Sequence, residues 1–258
     1  MRHLFIPDTQ VSKGVPLDHL EACGNYIVDK KPDVIIHIGD HADMPSLSSY
    51  EKKSNRYFHD KSYQNDIEAS TEGMERLLQP LWDYNAKAKR DKKRAYKPRM
   101  VLTMGNHENR INRAVDSDPI LAGTISVDDL KYKEMGWEVH DFLEIAMIDG
   151  IAYSHYFVNP DGMTGHPVGG TVDNKLKLLG CSFSMGHQQK CQYGMRYDAL
   201  GRDLHGLVWG SFYMHDEGYL GPQKNTQYKR GIMMKNDVKD GSYDPMLISM
   251  KYLLENYL

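Results

Sequence analysis

The stretch Met100-Val101-Leu102-Thr103-Met104-Gly105-Asn106-His107-Glu108-Asn109-Arg110 decides how this chain is read. Residues 100–104 read as a buried strand, and Ile111-Asn112-Arg113-Ala114-Val115 reads as a short helix beyond it. Between them Gly105 permits a sharp turn at the strand end. Asn106 offers an amide oxygen, and His107 a ring nitrogen that titrates near neutral pH. A strand running into Gly-Asn-His-Glu and then a helix is an arrangement that builds a site. Alone, the same four residues also describe an ordinary polar turn. The other strand ends carry the argument further.

Upstream, His3 to Ile6 reads as a strand ended by Pro7, with Asp8-Thr9-Gln10 just past it. Leu17 to Lys31 has helical spacing in Leu17, Leu20, Cys23, Tyr26 and Ile27, and Pro32 ends it. Asp33 to Ile38 is nearly all apolar, as expected where helices cover a sheet, and runs into Gly39-Asp40-His41-Ala42-Asp43. Strand–helix–strand order predicts parallel pairing with a right-handed crossover. Asp8 and Asp40 are then neighbours at the carboxyl edge of the sheet, where open α/β sheets place ligands. Residues 45–62 read as loop. Tyr63 to Tyr96 reads as helical, with Pro80 starting a second helix.

The second half changes texture. Trp137–His140, Leu143–Ile148 and Ile151–His155 read as successive strands with antiparallel character, and Asp149-Gly150 as a hairpin turn. A Gly- and Pro-containing loop over 158–170 precedes a helix over Val172–Leu179. Ser182–Met185 is a strand leading into Gly186-His187-Gln188-Gln189. Leu207–Tyr213, Arg230–Lys235 and Met246–Met250 read as further strands. No linker separates domains, so 1–258 is expected to be a single domain.

Composition narrows the function classes. A net charge of −3 over 258 residues gives no global attraction to nucleic acid or to an anionic membrane. The basic run Lys87, Lys89, Arg90, Lys92, Lys93, Arg94, Lys97, Arg99 lies at the amino end of the 100–104 strand, away from the Asn-His-Glu turn, and reads as a solvated helix face. Cys23, Cys181 and Cys191 lack metal-type spacing and, with an early polar N-terminus, point to a reduced, cytoplasmic setting. No apolar run approaches the ~18 residues of a membrane span.

Three strand ends thus deliver Asp8, Asp40 and Asn106-His107, and two more deliver His155 and His187. Carboxylates, an amide and imidazoles gathered at strand ends form a donor set for divalent metal. Asp8-Thr9-Gln10, Gly39-Asp40-His41-Ala42-Asp43, Gly105-Asn106-His107-Glu108, His155 and Gly186-His187-Gln188-Gln189 together resemble, in order, the motifs of the calcineurin-like metallophosphoesterases. The resemblance spans about residues 3–190. It implies an α/β fold of two mixed β-sheets packed as a sandwich and flanked by helices. It also implies hydrolysis of a phosphoester by a two-metal-activated water.

Carried over by position, Asp40 bridges the two ions. Asn106, His155 and His187 complete one site; Asp8, Gln10 and Gln189 complete the other. His107 faces the scissile phosphate and protonates the leaving oxygen or stabilises charge. Arg110, one turn beyond, reads either as a phosphate-binding fork or as a solvated helix residue. Glutamines stand at Gln10 and Gln189 where the family carries histidines. Either that site is retuned toward Mn²⁺ or Mg²⁺ and away from Zn²⁺ or iron, or it is weakly occupied. Met44 stands where phosphoprotein phosphatases carry an arginine after the second Asp of the Gly-Asp motif. The expected substrate is therefore a phosphodiester of a nucleotide or nucleic acid. A phosphomonoesterase acting on phosphoprotein or small molecules, and a non-catalytic binding module with a degenerate first site, are the alternatives. His215 and the 158–170 loop match no motif and read as structural.

Overall fold

A computed structural model of the chain describes residues 1–48, 62–160, 165–216 and 227–258. The expected loop over 45–62 and residues 161–164 of the 158–170 loop lie largely outside that set.

A six-stranded sheet forms first. Its first strand, β1 (His3–Ile6), pairs in parallel with β2 (Val34–His37), β2 with β3 (Arg99–Thr103), and β3 with β4 (Glu138–His140). The pairing β1–β2 carries on past the strand ends: Gln10 N–H donates to Asp40 O at 2.9 Å and Val11 N–H to His41 O at 2.6 Å. Two ligand-bearing loops are thereby laid side by side. The second, five-stranded sheet contains β5 (Ala146–Ile148), β6 (Ile151–Tyr153), β7 (Ser182–Met185), β8 (Gln192–Tyr197) and β9 (Asp203–Val208), in the order β5-β6-β7-β9-β8. The chain then returns to the first sheet: β10 (Gly231–Lys239) pairs antiparallel with β1, and β11 (Ser242–Ser249) with β10.

Burial follows strand parity. Leu4 and Ile6 face the helical layer, with Leu20, Cys23, Tyr26, Leu77 and Leu78, while Phe5 joins Ile36, Val101, Tyr153, Leu207 and Trp209 between the sheets. The helices on the first sheet include α1 (Asp18–Lys30) and α2 (Tyr63–Arg90); α3 (Asn109–Ser117) follows the Asn-His-Glu turn. A further helix, α4 (Val172–Leu179), caps the outer face of the second sheet through Val172 and Leu176. The last, α5 (Met250–Tyr257), packs against α1. The fold is the expected pair of mixed sheets flanked by helices. No helix among the described residues is long and apolar enough to cross a membrane.

Three readings change. Pro80 does not start a helix; it lies inside the continuous α2. Leu77, Leu78 and Leu81 are buried on either side of it. Burying each is worth roughly 1.5–3 kcal/mol, which outweighs the ~3 kcal/mol of one lost hydrogen bond. The antiparallel texture of the second half holds for the β5–β6 hairpin, whose turn residues Asp149 and Gly150 have φ of 47° and 82°. It fails for β4, which joins β3 in parallel in the other sheet, and for β6, β7 and β9, which are mutually parallel. The strand expected over Leu207–Tyr213 ends at Val208, and the chain beyond it is irregular.

Candidate metal centre

The carboxyl ends of both sheets meet at one cluster. Ligand atoms of Asp40, His155 and His187 all lie within 4.8 Å of one another. His155 Nδ1–H donates to Ile38 O at 2.9 Å, which directs Nε2 inward, where it is a lone pair whenever the ring is neutral. That nitrogen is 3.2 Å from Asp40 Oδ2 and 3.0 Å from Asn106 Oδ1. Asn106 Oδ1 is also 2.8 Å from His187 Nδ1. Acceptor atoms converging in a buried space require positive charge between them. The electrostatics agree: burial alone would lower the His155 pKa, yet the Asp40 carboxylate raises it to about 10. The fixed tautomer and the mixed oxygen and nitrogen donors fit a divalent cation.

Asp8 lies beside this group and accepts the His187 backbone N–H at 3.0 Å. Burial, reinforced by the neighbouring Asp40, lifts its pKa to about 8. Gln10 is buried, and its Oε1 has no hydrogen-bond partner among the described residues. Two buried carboxylates and an unpartnered amide oxygen also suit a hard cation. Gln189 Oε1 instead accepts the Tyr213 hydroxyl at 2.9 Å.

Glycine makes the approach possible. A Cβ on Gly105 would collide with Asp40 Oδ1, and one on Gly186 with Asp8 Oδ1. Gly105 has no left-handed φ. Its role is to leave space for a carboxylate rather than to turn the chain. Strain is stored in other residues: Gln10, Asp40 and His187 have φ of 42°, 47° and 62°. Left-handed backbone at non-glycine positions costs about 1–3 kcal/mol each and concentrates at functional sites.

His107 stands at the edge of the cluster. Its backbone N–H donates to Asp40 Oδ1 at 2.8 Å, and its Nε2 is 3.7 Å from Asp40 Oδ2. The other ring nitrogen is 2.8 Å from Asp43 Oδ1, an ion-pair contact rather than an aligned hydrogen bond. Burial opposes protonation, but the charges of Asp40 and Asp43 override it and raise the pKa. Arg110 is not a solvated helix residue. Its Nη1 donates to Asp43 O at 2.6 Å, and its side chain is 15% exposed.

Sequence reading did not assign roles to Asp43, Glu108, His37 or His41. Asp43 orients His107. Glu108 is fully buried: Oε1 accepts from His41 and Ala42 N–H, and Oε2 from Asp40 and Gly105 N–H, at 2.6–3.0 Å. One carboxylate therefore ties the two central motifs together. Behind them Gly39 N–H donates to His37 Nδ1, so His37 Nε2–H points to Thr9 Oγ1 (3.2 Å). His41 Nε2–H donates to Ser70 O, so its Nδ1 accepts the Thr9 hydroxyl (2.7 Å). Thr9 is locked between the ligand positions Asp8 and Gln10. The signal for these roles was present in the motif letters, but only through-space contacts reveal it.

No curated protein matches the chain. The sequence model of the family described as calcineurin-like phosphoesterase matches residues 1–191, which contain every strand end that carries a candidate ligand. The order of the motifs, the two mixed sheets and the cluster at their carboxyl edge agree with that match, and the chain belongs to the calcineurin-like phosphoesterase family.

Proposed function

We propose that the chain hydrolyses a phosphodiester of a nucleotide or nucleic acid, using two divalent ions with Mn²⁺ or Mg²⁺ preferred. The observation that carries this reading is the convergence of Asp40, Asn106, His155 and His187 acceptors beside a histidine whose pKa is raised. In the proposal, Asp40, Asn106, His155 and His187 hold one ion. Asp8, Gln10, Gln189 and Asp40 hold the other. Bound divalent ions polarise phosphoryl oxygens and supply an activated water. His107, whose pKa the charges of Asp40 and Asp43 raise, would donate its proton to the departing oxygen. Asp43 holds the imidazole in the orientation that transfer needs.

Two features favour a diester over a phosphoprotein monoester. Met44 is fully buried where a phosphate-binding arginine would stand, and Arg110 turns its guanidinium onto backbone carbonyls. Among the described residues, these two positions therefore offer a dianionic monoester less cationic charge than the phosphoprotein pattern would. His107→Ala should lower turnover of a chromogenic phosphodiester by roughly 10²–10⁴-fold while Mn²⁺ content stays at the wild-type level. Loss of metal together with rate would make His107 a ligand and void the assigned role. Faster wild-type turnover of the matching monoester would replace the diester reading with the monoesterase one.

A further inference from the structure

We propose that Lys235 is a positioning residue of the metal centre: from the first sheet it fixes the two strands of the second sheet that lead to His155 and His187. The proposal rests on the ligand assignments of the phosphoesterase reading above. Lys235 lies on β10, beyond residues 1–191, and belongs to none of the five motifs.

Lys235 is fully buried between the sheets. Among the described residues it forms no ion pair. Its Nζ lies instead over three aromatic rings, 4.5 Å from the Tyr153 centroid, 4.7 Å from that of Tyr243 and 5.6 Å from that of Phe5. An apolar side chain of similar length would fill this space without the cost of burying an amino group. Packing alone therefore does not account for a lysine here.

The contacts of the amino group do. Nζ donates to Ser184 Oγ at 2.5 Å and to the Tyr153 hydroxyl oxygen at 3.1 Å. Tyr153 and Ser184 are register partners on the parallel strands β6 and β7. His155 follows Tyr153 by two residues, and His187 follows Ser184 by three. One amino group thus holds both histidine-bearing strands. It holds them against the strand that leads to Asp8, because Lys235 pairs with His3 across β10 and β1. His3 closes the same contact. Its Nε2–H donates to Asp149 Oδ2 at 2.8 Å, which leaves Nδ1 to accept the Tyr153 hydroxyl at 2.9 Å. The hydrogen bonds run in one direction, from Lys235 through Tyr153 and His3 to Asp149 in the β5–β6 turn.

The cluster of Asp40, His155 and His187 takes its carboxylate from one sheet and its imidazoles from the other. Its dimensions follow from how the sheets are set. Apolar packing between them is non-directional, whereas hydrogen bonds fix distance and angle. Lys235 acts on the ions through β6 and β7 rather than by contact with a ligand.

The test compares wild type with Lys235→Met, Tyr153→Phe and Ser184→Ala. Three quantities are measured: melting temperature, Mn²⁺ affinity of metal-stripped protein by electron paramagnetic resonance, and kcat and KM for a chromogenic phosphodiester. Loss of a residue that orients metal ligands costs about 10–100-fold in metal affinity or activity. Lys235→Met keeps the volume and should melt close to wild type. It should nevertheless bind Mn²⁺ about 10-fold or more weakly and lose about 10–100-fold in kcat, with KM little changed. Tyr153→Phe and Ser184→Ala each remove one of the two contacts and should weaken Mn²⁺ binding by less. They carry the comparison if Lys235→Met does not fold. A merely structural lysine would lower the melting temperature and leave the Mn²⁺ affinity and kcat of the folded variants at wild-type values. That result would overturn the inference and leave the phosphoesterase reading intact. A wild type that binds Mn²⁺ without hydrolysing the ester would overturn the reading, and the Mn²⁺ affinities would still decide the inference. A wild type that binds no Mn²⁺ would overturn both.

Discussion

Glu108 shows how much one buried side chain decides here. Its two oxygens accept four backbone N–H groups from the Asp40 and Gly105 loops. Glu108→Gln replaces one acceptor with a donor and strands buried N–H groups, at about 1–3 kcal/mol for each group left unpaired. The variant should melt about 5–15 °C lower; a melting temperature equal to wild type would show that the carboxylate does not clamp these loops. His19 makes the opposite case. Both its ring nitrogens are buried with no hydrogen-bond partner meeting geometric criteria among the described residues, and its ring meets Phe212 edge-on. Burial, aided by His215, pushes its pKa from 6.5 down to about 3. A depressed histidine is neutral in the fold, while the unfolded chain takes up a proton below pH 6.5. Stability is therefore lost as pH falls from about 6.5 toward 3, by about 2 kcal/mol at pH 5 and by almost nothing at pH 8. His19→Leu should raise the melting temperature relative to wild type more at pH 5 than at pH 8. An equal shift at both pH values would contradict the assignment. At this scale the sequence was informative about which atoms could bind metal, because Asp, Asn and His at strand ends declare their chemistry. It was silent about Asp43, Glu108 and Thr9, whose roles depend on contacts between loops 28 or more residues apart in the chain.

At the scale of elements, α1 and α2 approach closely because Gly24 faces the Leu77 carbonyl and the Pro80 ring. A Cβ there would overlap both. Two effects of Gly24→Ala compete. Alanine gains roughly 0.5–1 kcal/mol of helix preference, while overpacking costs typically 1–3 kcal/mol. The clash is with backbone as well as a ring, so the variant should be less stable by about 1–2 kcal/mol in denaturant titration. A gain in stability would mean that the helices separate freely. Pro80 illustrates what local rules cannot weigh. Proline argued for a helix start, but the buried leucines around it carry the helix through. Short strands were hard for a related reason. The three residues of β4 carry too little pattern to reveal a partner, and β8 alternates half-buried and exposed residues as an edge strand rather than forming an apolar run. By contrast β1, β2 and β7 are buried along their whole length, which made them readable as strands and placed the turns after them.

Across the whole molecule, the two sheets divide the proposed ligands. Asp8, Gln10, Asp40 and Asn106 follow strands of the first sheet, and His155, His187 and Gln189 follow strands of the second. The site exists only when both sheets are packed, and their shared core of Phe5, Ile36, Tyr153 and Trp209 fixes the distance between them. The residues beyond the family match extend this arrangement: β10 and β11 widen the first sheet beside β1, and the segment with Tyr213 and His215 lies against the metal loops. Asp40 is the point where everything meets, since it contacts His107 and His155 and is the residue that both proposed ligand sets share. Chromogenic phosphodiester hydrolysis by protein stripped with chelator and reloaded with Mn²⁺, compared between wild type and Asp40→Asn at matched melting temperature, is therefore the most direct test. The account predicts turnover by reloaded wild type, none without metal, and a loss of at least about 10²-fold in folded Asp40→Asn. Turnover by folded Asp40→Asn close to that of wild type would contradict it.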